Sequence, residues 1–356
     1  MIIPIFIPHR GCPHRCIFCN VQKTAGDQPE RISEHAFCET VNKHLESAKP
    51  SPDRVQIAFY GGNFTGMEIR EQIELLTFAG TFIKKGLVHG IRISTRPDCL
   101  DAGCLDMLRS FEVTTTEIGV QSMTDDVLNR ANRGHTASDV VHAITLLKQR
   151  SFETGVHLMV GLPEDSCFSF DDTVEKIIAL KPDFVRIHPT LVFEKTDLAQ
   201  AYLGGTYHPL SLAAAIDLCK SALKRFEESG IPVIRLGLQT TREMETPGSI
   251  VAGPYHPAFR NLVEASLYFD MASSLLMAEP VRDKAVLFIL SPKDVSSFRG
   301  QKNGNLQRIK ACFGLAEIGV SVDPHQPRRS LKMVIHNQAP KPDMSHGTVQ
   351  GGTSIV

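Results

Sequence analysis

Short apolar runs alternate with longer amphipathic stretches over the first two thirds of this chain, and few folds accommodate such an alternation. The runs Ile2–Ile7, Val55–Tyr60, Ile91–Thr95, Thr115–Val120, Val156–Val160 and Phe184–His188 are rich in β-branched and aromatic residues and fit strands. Between them, Ser33–Ser47, Ile69–Lys85, Asp101–Arg109, Ala137–Gln149 and Ser169–Leu180 carry apolar residues at helical spacing, with Ser33 and Ser169 as expected N-caps. Strand–helix units in succession lay down a parallel sheet, because parallel neighbours need a crossover connection. Six units predict an α/β fold, a six-stranded partial barrel whose side is closed by a helix at Leu210–Glu228 and a strand at Val233–Leu238. A chain of 356 residues exceeds what one core usually organises, so a barrel with an appendage is expected.

In parallel barrels of this kind the active site forms at the C-terminal ends of the strands. Directly after the first run stands Cys12-Pro13-His14-Arg15-Cys16-Ile17-Phe18-Cys19, a C-x3-C-x2-C spacing. Three thiolates on one loop suit an iron–sulfur cluster in which a fourth iron stays open to a small ligand. They also suit a zinc site completed by His9 or His14. The other cysteines (Cys38, Cys99, Cys104, Cys167, Cys219 and Cys312) are scattered, which argues against a disulfide framework.

Each later strand also ends in a motif. The second leads into Tyr60-Gly61-Gly62-Asn63-Phe64, where paired glycines let backbone approach a ligand closely. The third ends in Ser94-Thr95-Arg96-Pro97-Asp98, and the fourth in Gly119-Val120-Gln121-Ser122, with Arg133 twelve residues beyond Gln121 in Asn132-Arg133-Gly134-His135-Thr136. For Arg96 and Asp98 a local turn and an N-cap explain the residues as well as any ligand contact does. The fifth strand carries His157, which reads more readily as a satisfied core histidine than as a proton carrier, and the sixth carries Arg186, expected to line a substrate cavity, before His188-Pro189-Thr190-Leu191-Val192.

The cysteine spacing, with an aromatic Phe18 before the third cysteine, resembles the radical S-adenosylmethionine (SAM) superfamily. The strings Gly-Gly-x-Phe, Thr-Arg-Pro-Asp, Gly-Val-Gln-Ser, Asn-Arg-Gly-His-Thr and Pro-Thr-Leu-Val are similar, in the same order, to the radical domain of the Elongator catalytic subunit over residues 1–239. Oxygen-independent coproporphyrinogen oxidases fit less well, since their motif continues with a cysteine where this chain has Asn20. The resemblance implies a partial (β/α)6, TIM-like core. It implies a [4Fe–4S] cluster on Cys12, Cys16 and Cys19, with SAM held by Gly61, Gly62, Asn63, Ser94, Gln121 and Arg133. Ser94 departs from the family's carboxylate at that place, and no acetyltransferase domain is expected after the core. The implied chemistry is reductive cleavage of SAM to a 5′-deoxyadenosyl radical that abstracts hydrogen from a substrate, an RNA nucleoside or alternatively a small metabolite, fed by a flavodoxin- or ferredoxin-like one-electron donor. An iron–sulfur or zinc protein used for binding or electron transfer is the competing class.

Past residue 240 the pattern changes. Pro247, Gly248, Gly253 and Pro254 mark a linker over 240–256, followed by a small α+β domain over 257–340 and a mobile tail over 341–356. That domain is expected to hold a helix to about Met277, a strand at Lys284–Leu290, a helix at Asn305–Phe313 and a strand at Leu331–His336. The whole chain has a formal net charge of −1, yet from Val281 onward eleven Lys and Arg face five Asp and Glu. Arg299, Lys302, Arg308, Lys310, Arg328, Arg329 and Lys332 therefore suggest a polyanionic partner, tRNA or another RNA, against the plainer reading of a solvated face. No apolar stretch approaches the length of a membrane span, so a cytoplasmic location is expected.

Overall fold

A computed structural model describes residues 1–7, 10–20, 31–47, 55–238, 244, 246–336 and 354–355. His9, part of the expected linker (240–243 and 245) and most of the expected tail (341–353 and 356) lie outside the described residues. The chain divides into two compact units, Met1–Pro257 and Ala258–Val356.

The first unit is built on β1 (Ile2–Phe6), β2 (Gln56–Tyr60), β3 (Gly90–Thr95), β4 (Val113–Gln121), β5 (Glu153–Val160), β6 (Phe184–Pro189), β7 (Val192–Phe193), β8 (Val233–Leu236) and β9 (Ile250–Ala252). Seven of these, β1 to β6 and then β8, hydrogen-bond in chain order into one all-parallel sheet. The sheet curls into the partial barrel expected of the strand–helix repeat, and β8 extends it as the side-closing strand. β7 and β9 pair antiparallel apart from it, so the stretch read as linker contributes a strand to this unit.

Helices α1 (Glu34–Ser47), α2 (Ile69–Lys84), α3 (Ala102–Ser110), α4 (Asp125–Arg130), α5 (Ala137–Gln149), α6 (Cys167–Leu180), α7 (Asp197–Leu203) and α8 (Leu212–Glu228) connect the strands. The sequence places six of them within two residues and misses the short α4 and α7. One cap differs: α6 begins at Ser166, whose hydroxyl accepts from Ser169 N, while Ser169 closes the reciprocal bond. Ser169, expected as the N-cap, is the third helical residue.

Period-two alternation separates the two faces of the sheet. Ile57, Phe59, Ile91, Ile93, Ile118, Val156, Leu158, Val185 and Ile187 are fully buried. Large side chains such as these each contribute about 1.5–3 kcal/mol on burial. On the other face stand Gln56, Tyr60, Arg92, Glu117 and Arg186, joined through a polar network, and His157. Barrel interiors are ordinarily filled by branched apolar side chains, so a charged interior marks this one as a place for chemistry.

The second unit has α9 (Phe259–Met277), β10 (Ala285–Leu290), α10 (Val295–Arg299), α11 (Gly304–Phe313), β11 (Glu317–Val322), β12 (Lys332–His336) and β13 (Ser354–Ile355). Its sheet runs β11-β10-β12-β13, with β11 parallel and β12 antiparallel to β10. Tyr268, Phe288, Phe298, Ile309 and Met333 form a core of its own.

Candidate functional site

The three cysteines lie on a loop stitched down by backbone on each side. Asn63 N donates to Arg10 O (2.9 Å) and Asn63 Nδ2 to Gly11 O (2.6 Å), which ties the loop to the end of β2. Ile17 N donates to Ala131 O (3.2 Å), Asn132 Nδ2 to Arg15 O (2.7 Å) and Leu198 N to Ile17 O (2.9 Å), which tie it to the α4–α5 connection and to α7. Cys16 is buried, Cys19 half-buried and Cys12 exposed, and none of the nine cysteines is in a disulfide. Among the described residues no three His, Cys, Asp or Glu side chains converge as a metal-binding set. The loop thus brings the three thiols to one mouth without closing them on a point.

The glycine turn follows. Gly61 takes φ +85°, which L side chains avoid. A Cβ on Gly62 would stand 2.3 Å from Ile7 O, so only glycine lets the two strand ends lie side by side. Asn63 is 1% exposed and its side chain is fully engaged. Besides Gly11 O, Nδ2 donates to Cys99 Sγ (3.2 Å), and Oδ1 accepts from Thr95 Oγ1 (2.8 Å) and Arg96 N (3.1 Å). Its amide therefore holds the mouth together instead of reaching into it.

Ser94 stands on the inner face opposite Glu117 in the β3–β4 register. At the end of β4 the register shifts between Gly119 and Gln121, and Gln121 adopts φ +70°, a bulge that turns its side chain back over Gly119. A Cβ on Gly119 would meet Gln121 Nε2 at 3.1 Å and Arg133 Nη2 at 3.3 Å. The bare glycine is what lets these two side chains converge. Arg133 donates from Nη1 to Cys16 Sγ (3.1 Å) and from Nη2 to Gly119 O (2.6 Å). Arg133 Nε and Gln121 Oε1 are buried without partners, a donor and an acceptor left for a ligand. Arg96 holds Asp98 through two bonds of 2.9 Å and also donates to Arg133 O. For Arg96 and Asp98 the structure shows the local turn, while the N-cap of α3 is Asp101, whose side chain accepts from Cys104 N (2.7 Å).

Two features escaped the sequence. Cys99, read as one of the scattered cysteines, sits beside Asn63 and close to Cys12. Desolvation, then Cys16, pushes the Cys12 thiol up, while Arg96 and Arg133 pull it down. The second feature is Glu117, 4% exposed, which accepts from Tyr60 Oη (2.9 Å), Arg92 Nη1 (2.8 Å) and Arg186 Nη1 (2.7 Å). Burial alone would raise its carboxyl, but Arg186 and Arg92 hold it below the usual carboxylate range. The His157 and His188 rings meet edge-on with centroids 4.2 Å apart, and neither Nε2 has a partner. Burial and then Arg186 push His157 down to about 3, and burial and then His157 push His188 well down too, so both are neutral near pH 7.

Three thiols, a glycine turn and unsatisfied polar groups gather at the C-terminal mouth of a parallel half-barrel, where barrels of this class bind their ligands. The chain belongs to the radical SAM superfamily: residues 6–177 match that superfamily and residues 182–268 match the Radical SAM C-terminal domain. The family's cofactors are a [4Fe–4S] cluster and SAM. An uncharacterised protein of Methanocaldococcus jannaschii is 31% identical over 56% of this chain and 64% of its own length. The tRNA uridine(34) acetyltransferase of Methanocaldococcus infernus is 26% identical over 62% of this chain and 48% of its own. Elongator complex protein 3 of Schizosaccharomyces pombe is 38% identical over 59% of this chain and 46% of its own. The chain thus spans about half the length of the last two. The solved structure of archaeal Elp3 from M. infernus, 21% identical, superposes with a TM-score of 0.58 over 76% of this chain and 63% of that one, which establishes the shared fold.

Proposed function

We propose that this protein is a radical SAM enzyme that seats its cluster on Cys12, Cys16 and Cys19 and its SAM against Gly61, Gly62, Ser94, Gln121 and Arg133. The observation that carries this reading is the convergence of the Gln121 and Arg133 side chains over Gly119, beside Cys16, with Gln121 Oε1 and Arg133 Nε each buried and unpartnered. Donor and acceptor together suit the charged ends of an amino acid or the hydroxyls of a ribose. The bound cofactors would supply one-electron cleavage of SAM and hydrogen abstraction. The chain's own part is to hold them: the glycine turn admits backbone contact, Asn63 and Arg96 keep the loops in register, and the polar interior orients a substrate. A zinc site with His14 has less support, since His14 is exposed and packs against Gly134 while Cys16 faces Arg133.

For substrate we favour an RNA nucleoside, with a flavodoxin- or ferredoxin-like reductant in the cytoplasm. The names of the tRNA-acting relatives and the basic second unit support it. The cations of that unit divide into two groups. Arg328 bonds the fully buried Asp294, and Arg329 bonds Glu264, so these two hold the fold. Arg299, Lys302, Arg308, Lys310 and Lys332 are the phosphate candidates, with Arg308 laid over the Phe269 ring at 3.8 Å. Anaerobic reconstitution with iron and sulfide, then dithionite and SAM, tests the reading. Wild type forms 5′-deoxyadenosine and Cys16→Ala does not; equal yields, or none from a confirmed cluster with or without tRNA, would leave a binding or electron-transfer protein.

A further inference from the structure

Arg133 is a buried cation without a carboxylate. It is 6% exposed, and among the described residues it forms no ion pair with Asp or Glu. Three other arginines around the barrel interior and its mouth are compensated: Arg92 and Arg186 share Glu117, and Arg96 holds Asp98. Removing an uncompensated guanidinium from water costs several kcal/mol, so an anion has to face it. The group its Nη1 meets is Cys16 Sγ, at 3.1 Å. Backbone geometry sets that contact. The segment 131–132 is bonded to 15–17 through Ile17 N to Ala131 O and Asn132 Nδ2 to Arg15 O, and Arg96 donates to the Arg133 carbonyl from the other side.

We infer that Arg133 is the counter-ion of the Cys16 thiolate, a positioning residue that holds this sulfur by a charge-assisted N–H···S bond and raises the reduction potential of the cluster bound through it. The inference rests on the reading in which Cys16 ligates iron. Hydrogen bonds to the sulfurs, net charge and burial set iron–sulfur potentials. A fixed positive charge on a ligand sulfur stabilises the more negative, reduced cluster. Partners of this kind orient and tune a metal site without binding the metal. The remaining Nε–H stays available to SAM, so one guanidinium would touch both the electron source and its acceptor. Arg96 approaches the cysteines too, but it is paired with Asp98, so it presents them with a neutral pair where Arg133 presents a bare cation.

The test needs neither substrate nor turnover. Protein labelled with 15N-arginine is reconstituted anaerobically with iron and sulfide, without SAM, and reduced. Pulsed electron–nuclear double resonance on the reduced cluster should show a 15N coupling that is lost in Arg133→Lys grown the same way. A redox titration followed by EPR should place Arg133→Met at a more negative potential than wild type, with Arg133→Lys between them, at equal iron and sulfide content. A full wild-type cluster with no 15N coupling, or an Arg133→Met cluster at the wild-type potential, overturns the inference. If Arg133→Met fails to assemble a cluster, the coupling in wild type decides alone. Undiminished cluster content in Cys16→Ala would instead overturn the reading beneath it, and the inference with it.

Discussion

Glu117 organises the interior at the scale of single residues. Its two oxygens receive Tyr60, Arg92 and Arg186 from three other strands. Glu117→Gln leaves two arginines facing a neutral amide, and breaking a buried pair in this way costs about 3–5 kcal/mol. A urea titration should show that loss. Because its folded pKa is depressed, the contribution of Glu117 is complete above the ordinary glutamate value and disappears as pH falls through the lower folded value. The histidines act at higher pH. His157 is pushed down to about 3 and His188 is also lowered, so below about pH 6.5 the unfolded chain binds protons that the fold refuses. Stability should fall with pH by about 1.4 kcal/mol per unit for each of them. Urea midpoints between pH 7 and 5 should flatten in a His157→Asn/His188→Asn variant, and an unchanged slope would place the protons elsewhere. His157 and Arg186 stood out in the sequence as polar groups at strand ends, but the network did not. Arg92 and Glu117 each read as an ordinary alternating polar residue, and only the sheet register sets them face to face with Arg186.

Strands and helices were far more legible, because apolar periodicity reports which face is buried before any neighbour is known. Ile69–Lys84, Ala137–Gln149 and Phe184–Pro189 lie within a residue of expectation. The misses have physical reasons. Glu317–Val322 carries Gly319 and Ser321 in a half-exposed strand, which dilutes the β signal, and it gains its identity by parallel pairing with β10. The bulge at Gln121 is a tertiary event, although the resemblance had already marked the residue. Two serines three apart can each begin a helix, and the structure gives the cap to Ser166. Ser166→Ala should therefore cost about 1 kcal/mol. In a unit of this size that is about 2–4 °C in the melting temperature. Losing Ser169 removes the returning bond to Ser166 N and its bond to Asp165 Oδ1 (2.5 Å) but not the cap on Ser169 N, so amide exchange at Ser169 should quicken in Ser166→Ala and not in Ser169→Ala, and the opposite would reverse the assignment.

The whole molecule joins a near-neutral total charge to a basic C-terminal portion. If that portion binds RNA, a Lys302→Glu/Arg308→Glu variant should bind tRNA at least tenfold more weakly, and wild-type binding should weaken steeply with salt. Gel-shift assays at two salt concentrations decide this, and equal affinities would leave the cations as a solvated face. The compositional asymmetry was readable from the chain, but the division of its cations into structural and available ones was not. Arg328 and Arg329 look like their neighbours until Asp294 and Glu264 are found beneath them. The Asn63 brace couples two neighbouring strand ends. It holds the cysteine loop at Arg10 O and Gly11 O while its Oδ1 accepts from Thr95 and Arg96, so a displacement of that loop is transmitted to the end of β3.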